Sequence, residues 1–297
     1  MAVFVLLAAL AAVPAAATAT PIAPLPRAVL AAAGLESITE RFMPVQGSAT
    51  WSGITINLVA AYADNVSTVV LLRAEPRAKA DGLYPRPLLA VDASGHFLGT
   101  TAGTSIDGGN YVLRFDPLPR GQSPQTKLTL FIWQMDSEPG RPPQTLYGLW
   151  SLQFTVTSQG GHVLPLPEPG QTARMSVRFN SVKAAPSGLA IDFTTRGVAS
   201  GAWCRHRVAL TPPPGSGPGV QLSTCSPGDF VQTIRVFDPL GHELRQISGG
   251  SAIQNKAMLD RKEELWTGVW PVSGTGTYRI VISDPDGATI ERKVQVP

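Results

Sequence analysis

The chain has 297 residues, of which 43% are hydrophobic and only 15% are charged, so it can build real cores and is not generally disordered. Its net charge is only +3, and lysine and arginine are scattered singly, which argues against nucleic-acid binding. The 29 glycines and 27 prolines follow no fixed period, a pattern typical of many tight turns. The length fits two domains.

The chain begins with an apolar run over residues 2–17, and Ala17-Thr18-Ala19 has the A-x-A form of a signal-peptidase site. No lysine or arginine precedes the run, although both a signal peptide and a membrane anchor normally carry positive charge there. Two interpretations stay open for residues 1–26. They are a signal peptide cleaved near Ala19, which gives a secreted protein, or a membrane anchor with further residues before Met1. Both place the body of the chain outside the cytoplasm; a cytoplasmic protein is the remaining alternative.

Residues 27–48 are predicted to form a short helix and linker, because Leu35, Ile38 and Phe42 recur at helical spacing. From residue 49 the apolar pattern alternates with period 2, and turn residues separate short runs. This pattern predicts a first β-sandwich domain over residues 49–160, in which the first two strands form a hairpin. Its predicted strands are 51–60, 67–73, 88–91, 111–115, 127–133 and 149–156.

The stretch from His162 to Gly170 contains three prolines, so residues 161–173 are predicted to be an extended linker between domains. A second Ig-like β-sandwich domain is predicted over residues 174–297. Its predicted strands are 175–179, 189–194, 207–210, 233–237, 265–270, 278–283 and 289–295. The expected fold class is therefore all-β, with two tandem Ig-like sandwiches after an N-terminal apolar helix.

An Asp-x-x-Gly motif follows three of the predicted strands, at Asp92–95, Asp238–241 and Asp284–287. Aspartate at the first turn position caps a backbone N–H group, and glycine at the last supplies a positive φ. The alternative is a calcium loop at Asp284, but Gln295 stands where an EF-hand places its bidentate glutamate. Turns are the favoured interpretation.

Tyr278 enters a late strand after a glycine-rich turn, as the tyrosine of a tyrosine corner does in Ig-like sandwiches. In that motif the hydroxyl bonds to backbone upstream. The alternative is an ordinary strand aromatic. Neither interpretation involves catalysis.

The two cysteines, Cys204 and Cys225, are predicted to form a disulfide, which would stabilise the fold by about 3 kcal/mol in an oxidising compartment. Two free buried thiols are an alternative. A metal site with His206 is a further alternative, although a closed zinc site needs a fourth ligand and none is near in sequence.

No nucleophile elbow, phosphate-binding loop or metalloprotease motif occurs, and the four histidines are far apart in sequence. We therefore expect no enzyme activity and assign no catalytic, cofactor-binding or metal-binding residue; no cofactor is predicted.

Tryptophans offer another kind of site. Trp133, Trp150, Trp266 and Trp270 are candidates for a sugar-binding face. Trp266 and Trp270 are four residues apart in an alternating run, so both side chains should face the same side of one strand. That side is an aromatic contact surface if it is exposed and part of the core if it is buried.

Several features of the chain occur together in one known group of proteins. An apolar segment leads into Pro/Ala-rich residues, a short helix follows, and the stretch from Gly53 to Asp64 pairs with residues 67–73. Later, residues 148–154 have the pattern Gly-x-Trp-x-x-x-Phe, and residues 237–241 read Phe-Asp-Pro-Leu-Gly. This succession resembles the extracytoplasmic part of membrane-anchored, anti-sigma-factor-like proteins of Gram-positive bacteria, in which a domain of unknown function precedes an Ig-like domain.

The resemblance implies a single-pass anchor, an external two-domain sandwich and a regulatory role upstream of gene expression. The cytoplasmic region that would hold a sigma factor would lie before Met1. We therefore expect an extracytoplasmic, membrane-anchored module that binds or senses a protein or cell-envelope ligand. The alternative is a secreted protein that binds cell-wall glycan or another protein.

Overall fold

The computed structural model describes residues 30, 33–92, 94–105, 109–119, 125–138, 140–197, 207–209, 221–223, 231–253 and 263–297. The predicted N-terminal apolar segment lies outside these residues. Within the described parts of the chain, no helix has the length and apolar character needed to cross a membrane. Nearly all regular structure is antiparallel strand, which confirms the all-β prediction, and each predicted strand overlaps an observed one.

The first half of the molecule, residues 43–157, consists of two facing sheets. Its described strands are β1 (Met43–Pro44), β2 (Ser48–Trp51), β3 (Ile54–Ala63), β4 (Thr68–Glu75), β5 (Leu83–Val91), β6 (His96–Leu98), β7 (Thr100–Ser105), β8 (Asn110–Phe115), β9 (Gln125–Ser137) and β10 (Thr145–Thr157). Sheet A has the order β1-β3-β4-β8-β7 with β2 also paired to β3, and sheet B has the order β10-β9-β5-β6. A one-turn helix, α1 (Arg77–Ala80), follows β4.

The core of this half lies between the two sheets, because alternate residues of each strand point inward. Leu72 of sheet A and Leu130 of sheet B both belong to it. The Trp150 indole crosses this core and donates a hydrogen bond to the Ile54 carbonyl at 2.9 Å. The predicted hairpin is confirmed as β3 paired with β4.

The second half, residues 162–297, has its own core. Its described strands are β11 (His162–Val163), β12 (Gly170–Gln171), β13 (Met175–Ala185), β14 (Gly188–Gly197), β15 (Arg207–Ala209), β16 (Gln221–Ser223), β17 (Thr233–Phe237), β18 (Glu243–Leu244), β19 (Ser248–Ile253), β20 (Glu263–Trp270), β21 (Gly276–Ser283) and β22 (Thr289–Val296). Sheet C has the order β11-β13-β14-β20-β19 with β12 also on β13, sheet D has the order β18-β17-β21-β22, and β15 pairs with β16. Sheets C and D enclose the core between them.

The proline-rich stretch predicted as a linker is part of the second half. Both β11 and β12 pair with β13, and Arg292 Nε donates to the Glu168 carbonyl at 2.7 Å. The stretch runs along a sheet edge, where a proline without an N–H group breaks no ladder bond. The change from one half to the other therefore comes at residues 158–161.

The Asp-x-x-Gly motifs are turns, as predicted. The Asp238 carboxylate accepts bonds from the N–H groups of Leu240 and His242, and Asp284 accepts the equivalent pair from Asp286 and Ala288. The glycines at 95, 241 and 287 all have φ between 62° and 89°. Among the described residues, no group of three or more His, Cys, Asp or Glu side chains is placed to hold a metal ion.

Tyr278 is completely buried, and its hydroxyl is tied to upstream backbone. It donates to the Gly274 carbonyl at 2.8 Å and accepts from the Ser273 N–H at 3.0 Å. This is the hydrogen bond expected of a tyrosine corner, so Tyr278 is more than an ordinary strand aromatic.

A buried carboxylate joins the two halves. Asp64, in the β3–β4 turn, accepts bonds from the Tyr62 hydroxyl and from the N–H groups of Val66 and Ser67. It also accepts from both the N–H and the hydroxyl of Ser187, in the β13–β14 turn, at 3.0 and 2.9 Å. The nearby guanidinium of Arg114 is also buried, and burial lowers its pKa to about 10 while the Asp64 charge partly offsets this. The junction is therefore buried and polar, with Asp64 as its main hydrogen-bond acceptor.

A second pair of charges faces the junction. Burial raises the pKa of Asp192, on β14 of the second half, and the charge of Asp116, just after β8 of the first half, raises it further. Lys183 offsets part of this effect. The two carboxylates therefore repel each other across the halves when both are ionised.

We predict that Asp64→Ala lowers the free energy of unfolding by about 3–5 kcal/mol, because it leaves the buried donors of Tyr62, Val66, Ser67 and Ser187 without their acceptor and removes the negative charge near the buried Arg114. Urea denaturation followed by circular dichroism measures this loss. Asp81→Ala is the control, since Asp81 is exposed and pairs with Arg141 only at 3.5 Å; it should change stability by less than about 1 kcal/mol. An equal loss in both variants would contradict the role given to Asp64.

We predict that Asp192→Asn is more stable than the native protein at pH 7, and that the difference disappears as the pH falls toward about 3. A carboxyl group with a raised folded-state pKa stabilises the protein fully below its unfolded pKa, and that stability is lost as the pH rises through the folded pKa. Asparagine does not titrate, so the variant does not lose this stability as the pH rises. Thermal unfolding from pH 3 to 8 measures it; a stability difference that is constant with pH would show that charge is not the cause.

Candidate functional site

The outward face of sheet B carries a group of large apolar side chains, all of them exposed except the half-buried Phe131. We call this set the aromatic face; its members are Leu88, Phe97, Phe131, Trp133, Tyr147 and Leu149. Trp133 is 48% exposed and Tyr147 is 69% exposed. An exposed cluster of this kind is unusual on a soluble protein and marks a binding candidate.

Strand alternation and register bring these residues together. Inward neighbours on the same strands, among them Leu89, Leu98 and Leu130, belong to the core, so the intervening residues point outward. Leu88 lies directly opposite Phe131, and Phe97 lies opposite Ala90 on the same face. The apolar surface therefore crosses the sheet from β6 to β10.

Trp133 owes its position to a β-bulge. On β9 both Ile132 and Gln134 have register partners on β5 and β10, but Trp133 between them has none. A bulge redirects a side chain and increases the local twist of the strand. On β10 the residues opposite the bulge include Leu149, so Trp133 and Leu149 lie side by side on the outward face.

A polar network continues the face beyond Trp133. The Asp136 carboxylate accepts from Arg86 Nε and from Gln134 Nε2, both at 2.6 Å, and from the Thr145 hydroxyl at 3.0 Å. The hydrogen bond from Arg86, followed by that from Gln134, lowers the pKa of Asp136 below its ordinary value. The ionised Asp136 and Arg86 neutralise each other, so this end of the face offers hydrogen-bonding groups with little net charge.

Trp51 and Trp150 meet at Gly148, on the edge strand β10. A Cβ at Gly148 would lie 2.4 Å from Trp150 Cζ3 and 2.8 Å from Trp51 Cδ1, so only glycine leaves room for the two indoles. Trp51 is itself exposed and ends β2, whose turn to β3 has positive φ at Ser52 and Gly53. Gly148 thus lets the exposed Trp51 approach the buried Trp150.

Trp266 and Trp270 do point to one side, as their spacing predicts, but that side is the core of the second half. Trp270 is 1% exposed and lies in the core cluster. Trp266 packs against that core, stacks on Phe193 with ring centroids 6.3 Å apart, and donates from Nε1 to Glu264. The contact-surface interpretation of this pair is therefore replaced by the core interpretation, because sheet D covers this face of sheet C.

The remaining tryptophan, cysteine and histidine candidates lie in different parts of the chain. Trp150 is core, whereas Trp133 is the one predicted tryptophan on the aromatic face. Cys204, Cys225 and His206 lie outside the described residues. His96, His162 and His242 are exposed and belong to different regions of the fold.

Sequence reasoning missed Tyr147, Leu149, Leu88 and Phe97. Each alternates with core residues, which was the available signal, but alternation does not say which outward positions remain uncovered. The sequence shows the aromatic residues of 131–133 and 147–150, but it does not show that they lie together on one face of the sheet.

Comparisons with known proteins identify a fold and no family. No family model matches the chain, and no curated protein matches it. Among solved structures, the chain is similar to a conserved domain protein from Bacillus anthracis, with 13% identity and a TM-score of 0.55. The match covers 87% of this chain and 92% of the other, so the similarity in fold extends over both halves.

We predict that Gly148→Ala displaces the indoles of Trp51 and Trp150 and lowers the free energy of unfolding by about 1–3 kcal/mol. Urea denaturation measures the loss, and tryptophan emission reports the displacement. Ser151→Ala, at an outward position on the same strand, is the control and should leave both properties unchanged. Native stability and emission in Gly148→Ala would contradict the tight packing at this glycine.

Proposed function

We propose that this protein is a non-enzymatic, extracytoplasmic binding and sensing module of the cell envelope, and that the aromatic face of sheet B is its contact surface. The observation that carries the proposal is the exposure of five large apolar side chains, around the half-buried Phe131, on one face of sheet B. Tryptophan and tyrosine supply much contact area at low entropic cost, which suits them to binding.

The chemistry of the face favours a sugar polymer as ligand. Aromatic rings present a negative face that attracts polarised C–H groups, such as those of a sugar ring. The Asp136 network beside Trp133 and Tyr147 supplies amide, hydroxyl and carboxylate groups for hydroxyl ligands. Because Arg86 neutralises Asp136, the face suits an uncharged polymer. A protein partner is the second candidate, favoured by the aliphatic side chains of Leu88 and Leu149.

We also propose a cellular location and a family relation for this protein. The apolar run and the A-x-A site support an extracytoplasmic protein that is anchored at the membrane, or secreted after cleavage near Ala19. The succession of segments supports a relation to the extracytoplasmic part of anti-sigma-factor-like proteins. Two tandem Ig-like sandwiches are proposed because each core lies between antiparallel sheets and Tyr278 has the corner hydrogen bond. A Cys204–Cys225 disulfide fits that compartment.

The test is sedimentation of the full chain with insoluble cell-wall polysaccharide. We predict that Trp133→Ala and Tyr147→Ala each weaken binding about tenfold or more, because each removes one of the exposed rings of the contact surface. Leu240→Ala is the matched control, since Leu240 is 81% exposed but lies on the second half; its binding should equal that of the native protein.

Circular dichroism must show that all three variants fold. Polysaccharide binding that survives in both aromatic variants would overturn the role of this face. If the native protein does not sediment with polysaccharide but captures a protein through Trp133 and Tyr147, the second candidate replaces the first.

A further inference from the structure

The segment that precedes the first strand contains a short helix and packs against sheet A. Residues 33–42, which we call the strap, contain a 3-10 helix, Glu36–Arg41, and cross the outward face of sheet A. Leu35 and Ile38 are 0% exposed and pack with Leu30 against a separate apolar cluster. The sheet residues of that cluster are Val59, Ala60, Tyr62, Val69, Leu71 and Val112.

The strap contacts both halves of the molecule. From the first half, Arg114 donates to the carbonyls of Ala33 and Gly34 at 3.5 and 3.3 Å. Toward the second half, the Ser37 hydroxyl donates to the Pro186 carbonyl at 2.8 Å. A Cβ at Gly34 would lie 3.4 Å from Ile247 Cγ1 of the second half. The strap is therefore wedged at the junction.

The strap also touches the group that holds the junction together. The Phe42 ring lies 6.0 Å from the Tyr62 ring, centroid to centroid, and the Tyr62 hydroxyl donates to Asp64. Asp64 in turn accepts both bonds from Ser187, the residue next to Pro186. A continuous set of contacts thus runs from the strap through Tyr62 and Asp64 to the second half.

The strap is not bonded into a sheet. Among the described residues, its backbone–backbone hydrogen bonds stay within the segment from Leu30, as in Leu35 N–H to Leu30 O at 2.9 Å. Its bonds to the rest of the molecule involve side chains, including Gln159 Nε2, which donates to the Arg41 carbonyl. It can therefore detach without opening a strand pair, and such segments are the least stable parts of a fold.

We propose that the strap is a releasable wedge that sets the angle between the two halves, so that displacing it loosens the junction while both cores stay folded. Asp64 and Ser187, with the chain crossing at 158–161, act as the hinge. The strap leads directly toward residues 1–29, so tension or a partner acting on the N-terminal segment acts first on this wedge. The inference does not depend on what the aromatic face binds.

The test is hydrogen exchange of the full chain with Ile38→Asp, which places a charge in the buried cluster under the strap. We expect strap amides and the amides of Val66, Ser67 and Ser187 to exchange at least about tenfold faster, with β9, β10, β13 and β14 unchanged. Glu36→Gln, at an exposed position of the same 3-10 helix, is the control and should match the native protein.

Two outcomes would overturn the proposal. If the strap exchanges faster but Ser187 keeps its protection, the strap does not govern the junction. If β9 and β10 lose protection as well, the strap is part of the first core and is not separable.

A second variant tests the same link without placing a charge in the buried cluster. Ser37→Ala removes only the bond to Pro186, so it should speed exchange at Ser187 and leave β3 and β4 unchanged. Native exchange at Ser187 in this variant would remove the proposed link between the strap and the second half.

Discussion

The buried carboxylate of Asp64 links the two halves of the molecule through hydrogen bonds. Asp64 is buried, and its two oxygens accept from Tyr62, Val66, Ser67 and twice from Ser187. A buried charge is tolerated only when its hydrogen bonds are complete, so the β3–β4 turn, the β13–β14 turn and the strap under which Tyr62 lies must all be in place together. The two cores are separate clusters, and this acceptor is one of the groups that hold them in their mutual arrangement.

The outer faces of sheets A and B differ in how far they are covered, and the candidate site lies on the less covered one. The outer face of sheet A is covered by the strap, with Leu35 and Ile38 filling the space over Val59 and Val112. The outer face of sheet B has comparable apolar content around Trp133 and no covering segment among the described residues. The β9 bulge then determines how Trp133 is presented there. The site is built on rigid strands, so a ligand would meet a preformed surface.

Local chemistry predicted the fold well and the site poorly. Period-2 alternation located the strands, and the Asp-x-x-Gly motifs located turns whose geometry follows from aspartate capping and glycine φ. Spacing placed Trp266 and Trp270 on one side, but whether that side is core depends on sheet D, which is distant in sequence. The same limit hid the aromatic face, since Tyr147 and Trp133 become neighbours only through the β9–β10 register. Asp64 gave no signal at all, because its main partner, Ser187, is 123 residues away.

The proline-rich stretch along sheet C has a consequence for behaviour at high concentration. A sheet edge with free N–H and C=O groups is a template on which another chain can add a strand. Pro165, Pro167 and Pro169 lie between β11 and β12, beside β13, and none of them has an N–H group to offer. At high concentration, a second copy of the chain therefore cannot add a strand to sheet C at this edge. This edge of sheet C is therefore protected against edge-to-edge aggregation, independent of any ligand.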